Sequence, residues 1–375
     1  MSIYWNERVK NLSPYVPGEQ PRDRKFIKLN TNENPYPPSP KVMAAISNTI
    51  AAEKAQAPGA RLRLYPDPAC TELREAIAVR YHVRPEQVFA GNGSDEVLAF
   101  AFAAFFNSDT DDSNTALPVL FPDITYSFYP VYANLWDVPF RTIPLAEDFS
   151  INIEDYKTAC GGMIVPNPNA PTGLALPLNS ILAAAEYQKN SNHVLIVDEA
   201  YIAFANTPGV ESAVPYINDN PNLLTVHTLS KSASLAGLRV GFAIGNKDLI
   251  EGLCRIRDSF NSYTLDRLAL AGAAAAVSDA SYYDNINGKV IATRDRVSAA
   301  LTARGFNVIP SSANFVFIRF PAKTGAEAFA ALREKGILVR HFNKPRIADY
   351  LRVSIGTDAE MDSFLEACEE IEGSY

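Results

Sequence analysis

From about Lys41 to Tyr263, short uninterrupted apolar runs alternate with stretches of helical spacing. Met163 to Val165, Val194 to Val197, Leu223 to Val226 and Val240 to Ile244 read as strands, whereas Thr71 to Tyr81, Val97 to Phe106 and Leu178 to Gln188 read as helices. Strands alternating with helices predict an α/β layer, a parallel sheet wrapped by helices. The pattern changes near Thr264. A long helical region runs through Ala271 to Ala276 and past Arg294, after which Asn314 to Phe320, Gly336 to Arg340 and Tyr350 to Ile355 read as three short strands between helices. That is the pattern of a small α+β domain. The first residues differ from both, being rich in Pro, Asn and charge, with Asn32 to Pro40 as a semi-extended strap. The expected division is an N-terminal arm over 1–38, a large domain over 39–263 and a small C-terminal domain over 264–375, with no internal repeat and no low-complexity tract.

Composition narrows the function classes. A chain of 375 residues that is 47% hydrophobic can bury large cores. Its 34 basic and 42 acidic residues leave a formal charge of -8, which argues against nucleic-acid or anionic-membrane partners, since both need a basic surface. An anionic ligand must therefore be met by a local cluster of Arg, Lys and backbone amides. Cys70, Cys160, Cys254 and Cys368 are far apart and show no metal-ligand spacing with the four histidines, so reduced thiols in a cytosol and no metal are expected. The N-terminus carries no basic region followed by an apolar stretch, and no apolar run reaches the roughly 20 residues of a membrane helix. A soluble cytoplasmic protein is the expectation.

Five segments carry candidate chemistry. Lys231 follows a strand and stands between Ser230 and Ser232, with Arg239 shortly before the next strand. Small neighbours leave room for a flat ring, and Ser230 with Arg239 could hold a phosphate; taken alone, the segment is equally a solvated turn. The strand ending at Val197 delivers Asp198 at its carboxyl end, where ligands bind in open α/β sheets, with Tyr201 beyond. Alone, Asp198 could be a helix cap or a solvated acid. Phe89 to Val97 contains a Gly-Asn-Gly-Ser turn opening a helix, so the amides near Ser94 and Asp95 could bind an anion, or simply belong to a capped helix. Phe121 to Tyr129 presents aromatic residues for stacking or for the core, and Gly161 to Gly173 is a strand opening into a Pro- and Asn-rich turn.

Together and in this order, these segments resemble the fold type I pyridoxal-phosphate aminotransferases, and specifically the histidinol-phosphate aminotransferase family, from about Asn11 to near the C-terminus. The resemblance implies a mostly parallel seven-stranded sheet in the large domain and pyridoxal 5'-phosphate as cofactor. It implies Lys231 as the Schiff-base lysine and proton shuttle, Asp198 on the pyridine nitrogen, Tyr201 on the ring oxygen and Tyr126 stacked on the ring. The cofactor phosphate would be held by the amides of Ser94 and Asp95, by Ser230 and Arg239, and by Tyr65 reaching over from the second subunit of a homodimer. One position departs from the family's pattern: the asparagine usually found before Pro-Thr-Gly is Ala170 here. Asn169 is the favoured replacement, with Asn167 or Tyr201 acting alone as the alternatives.

Arg340 and Arg352 each end or interrupt a short strand in the small domain, where a guanidinium fork can grip a carboxylate or a phosphate, or merely pair with surface acids. The resemblance assigns them, with Tyr15, to the substrate's anionic end. The implied reaction is amino transfer between glutamate/2-oxoglutarate and histidinol phosphate/imidazole-acetol phosphate, a step towards histidine. An aromatic or phenylpyruvate aminotransferase would share every cofactor residue, a threonine-phosphate decarboxylase would use the same cofactor as a lyase, and a non-catalytic scaffold of this fold would lack the Lys231, Asp198 and Arg239 set.

Overall fold

The computed structural model describes residues 3–21, 24–51, 57–106 and 116–373, so the outermost residues of the expected arm and small domain, 1–2 and 374–375, lie outside the described residues. Seven strands form the main sheet: β1 (Val88–Gly91), β2 (Val119–Pro122), β3 (Phe140–Ile143), β4 (Met163–Pro166), β5 (Leu195–Asp198), β6 (Leu223–Thr228) and β7 (Gly241–Gly245). Their order is β1-β7-β6-β5-β4-β2-β3. β7 runs antiparallel to both of its neighbours, and every other pair is parallel.

The central strands β4 and β5 are apolar nearly throughout because both sheet faces are covered, whereas the edge strand β3, Phe-Arg-Thr-Ile, is exposed at its first three positions. Met163, Val165, Leu195, Val197 and Leu223 face one layer, where they meet Leu73, Ile77, Ile181, Ala185, Ala269 and Ala273. Ile164, Ile196, Leu224 and Val226 face the other, against Val97, Phe102, Ile250 and Leu253. The helices that supply these residues are Thr71–Tyr81, Leu178–Asn190 and Arg267–Val277 on the first face, and Gly93–Phe105 and Lys247–Phe260 on the second.

The small domain is a four-stranded antiparallel sheet in the order Arg340–His341, Tyr350–Ser354, Phe315–Arg319, Asn307–Ile309. The single strand expected over Gly336 to Arg340 is broken at Val339. Its first half, Ile337–Leu338, pairs in parallel with Ile27–Lys28 of the arm, and only its second half joins the small sheet. The arm therefore contributes a strand, and Leu29 enters the small domain's core. The helix Ala280–Ala303 spans both cores: Tyr283 and Ile286 pack with the large layer, Val290, Val297 and Leu301 with the small one. Leu265, Ala269, Ala273, Ala276 and Val277 also pack with the large layer. The change of local pattern near Thr264 thus precedes the change of core. Among the described residues no helix is long and apolar enough to cross a membrane.

Candidate active site

Because β4, β5 and β6 are parallel, their carboxyl ends share one edge of the sheet, and Pro166, Asp198 and Thr228 at those ends line a cavity of about 370 Å³. The chain leaves β6 through Ser230 and Lys231 and returns as β7, so the same edge also carries Arg239. Two glycines permit this return. A Cβ on Gly241 would lie 2.2 Å from the Ser94 amide nitrogen, and one on Gly93 would lie 2.7 Å from a guanidinium nitrogen of Arg239. Only bare backbone lets the start of β7 pass against the start of helix Gly93–Phe105. The result sets Ser94, Asp95, Ser230 and Arg239 around one end of the cavity, where the first-turn amides of the helix lack intrahelical partners. Arg239 pairs with Asp95 at 3.1 Å.

Lys231 donates from Nζ to the Thr31 carbonyl at 3.0 Å. Burial, with the Arg352 guanidinium adding to it, lowers this amine to about 8. Asp198 is 6% exposed, and burial pushes its carboxyl up to about 6 against hydrogen bonds from the Tyr129 hydroxyl at 2.9 Å and the Ala200 amide at 3.2 Å. Tyr201 lines the cavity, packs edge-on to Phe315 at 5.2 Å and accepts from Asn32 Nδ2 at 2.9 Å. Tyr126 lines it too, its hydroxyl donating to Asp95 Oδ1 at 2.6 Å.

Asn169 does not take the position expected of it. Its Nδ2 donates to the Ile124 carbonyl at 2.9 Å and its Oδ1 accepts from Thr125 at 3.1 Å, which spends the amide on the neighbouring loop. Asn167 is likewise turned inward, accepting from the Leu176 amide at 2.8 Å and donating to the Leu176 carbonyl at 3.2 Å. Ala170 lines the cavity, leaving Tyr201 beside it. Tyr65 is also away from this chain's cavity: it is 78% exposed and stacks on Tyr263 at 4.5 Å.

Arg340 and Arg352 are direct cross-strand neighbours; neither lines the cavity, but Arg352 is within electrostatic reach of Lys231. Among the described residues neither has a carboxylate within 4.0 Å. Arg352 instead lies over Phe315 and Phe342 at 5.4 and 5.5 Å and donates to the Asn30 carbonyl at 3.1 Å, while its buried Nε has no partner. Arg340 donates to the Val16 carbonyl at 3.2 Å, and Tyr15, near Arg352 and Tyr201, packs at a tilt against Phe128 at 4.3 Å.

Sequence reasoning named the strap but gave it no role at the site, and it missed the role of Tyr129. Thr31 and Glu33 line the cavity, and Asn34 donates to the Lys231 carbonyl at 3.1 Å and to Asn287 Oδ1 at 3.2 Å. A run of amides and a carboxylate before Pro35 was the available signal, but it does not say what the amides bind. Tyr129 gave none, since a tyrosine in an aromatic run reads as core.

A part-buried amine with a lowered pKa and a buried aspartate in one cavity, with a helix start of unpaired amides at one end, fit a cofactor that carries an aldehyde, a ring nitrogen and a phosphate. These are the features of a pyridoxal-phosphate aminotransferase, and the model of the family "Aminotransferase class I and II" matches residues 24–368. Histidinol-phosphate aminotransferase of Clostridium acetobutylicum is 53% identical over 370 residues, covering 99% of each chain, and that of Aromatoleum aromaticum is 52% identical over 375 residues, also covering 99% of each. The crystal structure of histidinol-phosphate aminotransferase from Sinorhizobium meliloti in complex with pyridoxal-5'-phosphate shares the fold, with a TM-score of 0.85 at 23% identity over 99% of this chain and 98% of that one. The chain belongs to the histidinol-phosphate aminotransferases within the class I and II family.

Proposed function

We propose that this protein transfers the amino group between glutamate and imidazole-acetol phosphate, giving 2-oxoglutarate and histidinol phosphate, with Lys231 as its reactive amine. The observation that carries the substrate side is the cross-strand pair Arg340–Arg352, without a carboxylate partner among the described residues and with Arg352 in electrostatic reach of Lys231. Both substrates bring an anion to the same amine, a carboxylate in one and a phosphate in the other.

Pyridoxal phosphate, which Lys231 would hold through its aldehyde, would supply an electron-withdrawing ring that acidifies the α-hydrogen of a substrate amine that takes the lysine's place. The protein's own groups do the rest. Asp198 would accept a hydrogen bond from the ring nitrogen and favour its protonated form, and Tyr201 would hold the ring oxygen without help from Asn169. Ser230, Arg239 and the amides of Ser94 and Asp95 grip the phosphate, and Tyr126 covers the ring. The Lys231 amine, held below its ordinary range by burial and by the Arg352 charge, would be the group that moves the α-proton once substrate takes its place on the cofactor. Tyr15, Arg340 and Arg352 orient the anionic end.

This reading includes a cytoplasmic homodimer in which Tyr65 of one subunit completes the phosphate site of the other. It also divides the chain into an arm, a large and a small domain, with the boundary inside Ala280–Ala303, where the core changes hands. The test is rapid mixing of the cofactor-loaded enzyme with histidinol phosphate, tyrosine, phenylalanine and threonine phosphate in turn, following cofactor absorbance. Histidinol phosphate should react fastest. Faster reaction with the phosphate-free aromatic amino acids would assign an aromatic aminotransferase, and carbon dioxide release from threonine phosphate would assign a lyase.

A further inference from the structure

Tyr126, Tyr129 and Tyr132 recur at every third residue from the loop after β2 into the short helix Tyr129–Leu135. Their hydroxyls divide between two carboxylates. Tyr126 and Tyr132 donate to Asp95 Oδ1 at 2.6 and 3.3 Å, at the phosphate end of the cavity, whereas Tyr129 donates to Asp198 Oδ2 at 2.9 Å. Tyr129 is 0% exposed, and its ring packs edge-on against Tyr126 and Phe121, each at 5.7 Å. A phenylalanine would fill that space equally well, so the hydroxyl is there for the carboxylate. Asp198 has no Lys or Arg within ion-pair distance among the described residues, and the Ala200 amide on Oδ1 is its other hydrogen bond.

We propose that Tyr129 is a positioning residue: its buried hydroxyl pins Asp198 in one orientation and in its charged form, so that the carboxylate meets the cofactor's ring nitrogen as an acceptor. This rests on the reading of Lys231 and Asp198 as the cofactor's partners. The surrounding charges make such a donor necessary. Burial raises Asp198 most, Asp95 raises it further, and the Glu199 carboxylate, itself raised, lies close enough to interact. The hydroxyls of Tyr132 and Tyr201 are also within electrostatic reach. The Tyr129 bond is the foremost contact that opposes them. Both oxygens keep acceptor capacity for the ring nitrogen.

The experiment compares wild type, Tyr129→Phe, Asp198→Asn and the double variant, each loaded with pyridoxal phosphate labelled at its ring nitrogen. The nitrogen's NMR shift and the visible spectrum are followed against pH, beside kcat and KM and the melting temperature of the cofactor-free protein. Removing the hydrogen bond raises the Asp198 pKa, so the acid limb of the spectral titration and of kcat should move up by about one pH unit in Tyr129→Phe. kcat should fall about tenfold with KM for glutamate little changed. In the Asp198→Asn background the second substitution should leave the nitrogen's shift unaltered, because its target is gone. A wild-type titration in Tyr129→Phe, or an equal effect of that substitution with and without Asp198, overturns the proposal. If Tyr129→Phe does not fold, a fluorotyrosine placed at 129 keeps the shape and strengthens the donor; it should move the acid limb down, and an unmoved limb overturns the idea. A wild-type protein that takes up no pyridoxal phosphate overturns the cofactor reading itself.

Discussion

The amine of Lys231 is made reactive by its surroundings, which can be tested one side chain at a time. Removing it by Lys231→Ala leaves no other amine in the turn between β6 and β7 to bind the aldehyde or move the α-proton, so turnover should fall by several orders of magnitude, measured in single-turnover assays. Near-native turnover in that variant would end the assignment. Capture of pyridoxal phosphate by the cofactor-free enzyme should speed up as pH rises through about 8, where Lys231 loses its proton. Because the Arg352 charge disfavours the protonated amine, Arg352→Ala should move that midpoint upward. The same substitution should cost roughly 2–5 kcal/mol of transition-state binding for both glutamate and histidinol phosphate. Arg340→Ala should hurt the phosphorylated substrate more, and equal losses for histidinol phosphate and a phosphate-free aromatic amino acid would contradict that role.

At the scale of elements, the strap over residues 30–34 binds the parts of the site together. Asn30 receives Arg352, Thr31 receives Lys231, Asn32 reaches Tyr201 and Ser354, and Asn34 joins the Lys231 backbone to Asn287 on Ala280–Ala303. Asn34→Ala should cost about 1–3 kcal/mol by leaving polar partners unmet, read by urea unfolding of the cofactor-free protein. Two glycines should respond in opposite directions. Gly241→Ala forces a Cβ to within 2.2 Å of the Ser94 nitrogen and should cost about 3 kcal/mol or more with loss of the phosphate site. Gly288→Ala sits in a helix with nothing within 4 Å of its Cβ, and should stabilise by about 0.5–1 kcal/mol. Melting temperatures that moved the same way in both would show that packing does not decide these positions.

For the whole molecule, the decisive question is whether each active site is built from two subunits. Tyr65 is exposed beside exposed Leu62, Leu64 and Tyr263, away from its own chain's cavity. In the proposed dimer, a Tyr65→Phe chain mixed with a Lys231→Ala chain places both lesions in one site and leaves the other intact. Each mixed dimer should then have about half the activity of the native dimer, so an equal mixture should rise towards about a quarter of native activity once labelled chains show exchange. No recovery despite exchange would mean that Tyr65 serves its own subunit or contributes too little to matter.

The local sequence determined the parts whose physics is local. Short, largely apolar runs specified strands covered on both faces, and their ends located Asp198 and Lys231 at the carboxyl edge of the sheet before any contact was known. What tertiary structure alone decided were the partners. Whether Asn169 faces the cavity or the loop at Ile124 depends on backbone direction in a turn, which residue type does not encode. That Ile337–Leu338 pairs with the arm, and that residues 265–286 share the large domain's core, depends on contacts between segments distant in the chain. The roles of Tyr129 and the strap were hidden for the same reason: a buried hydroxyl or amide is defined by the group it meets, and that group lies dozens to hundreds of residues away.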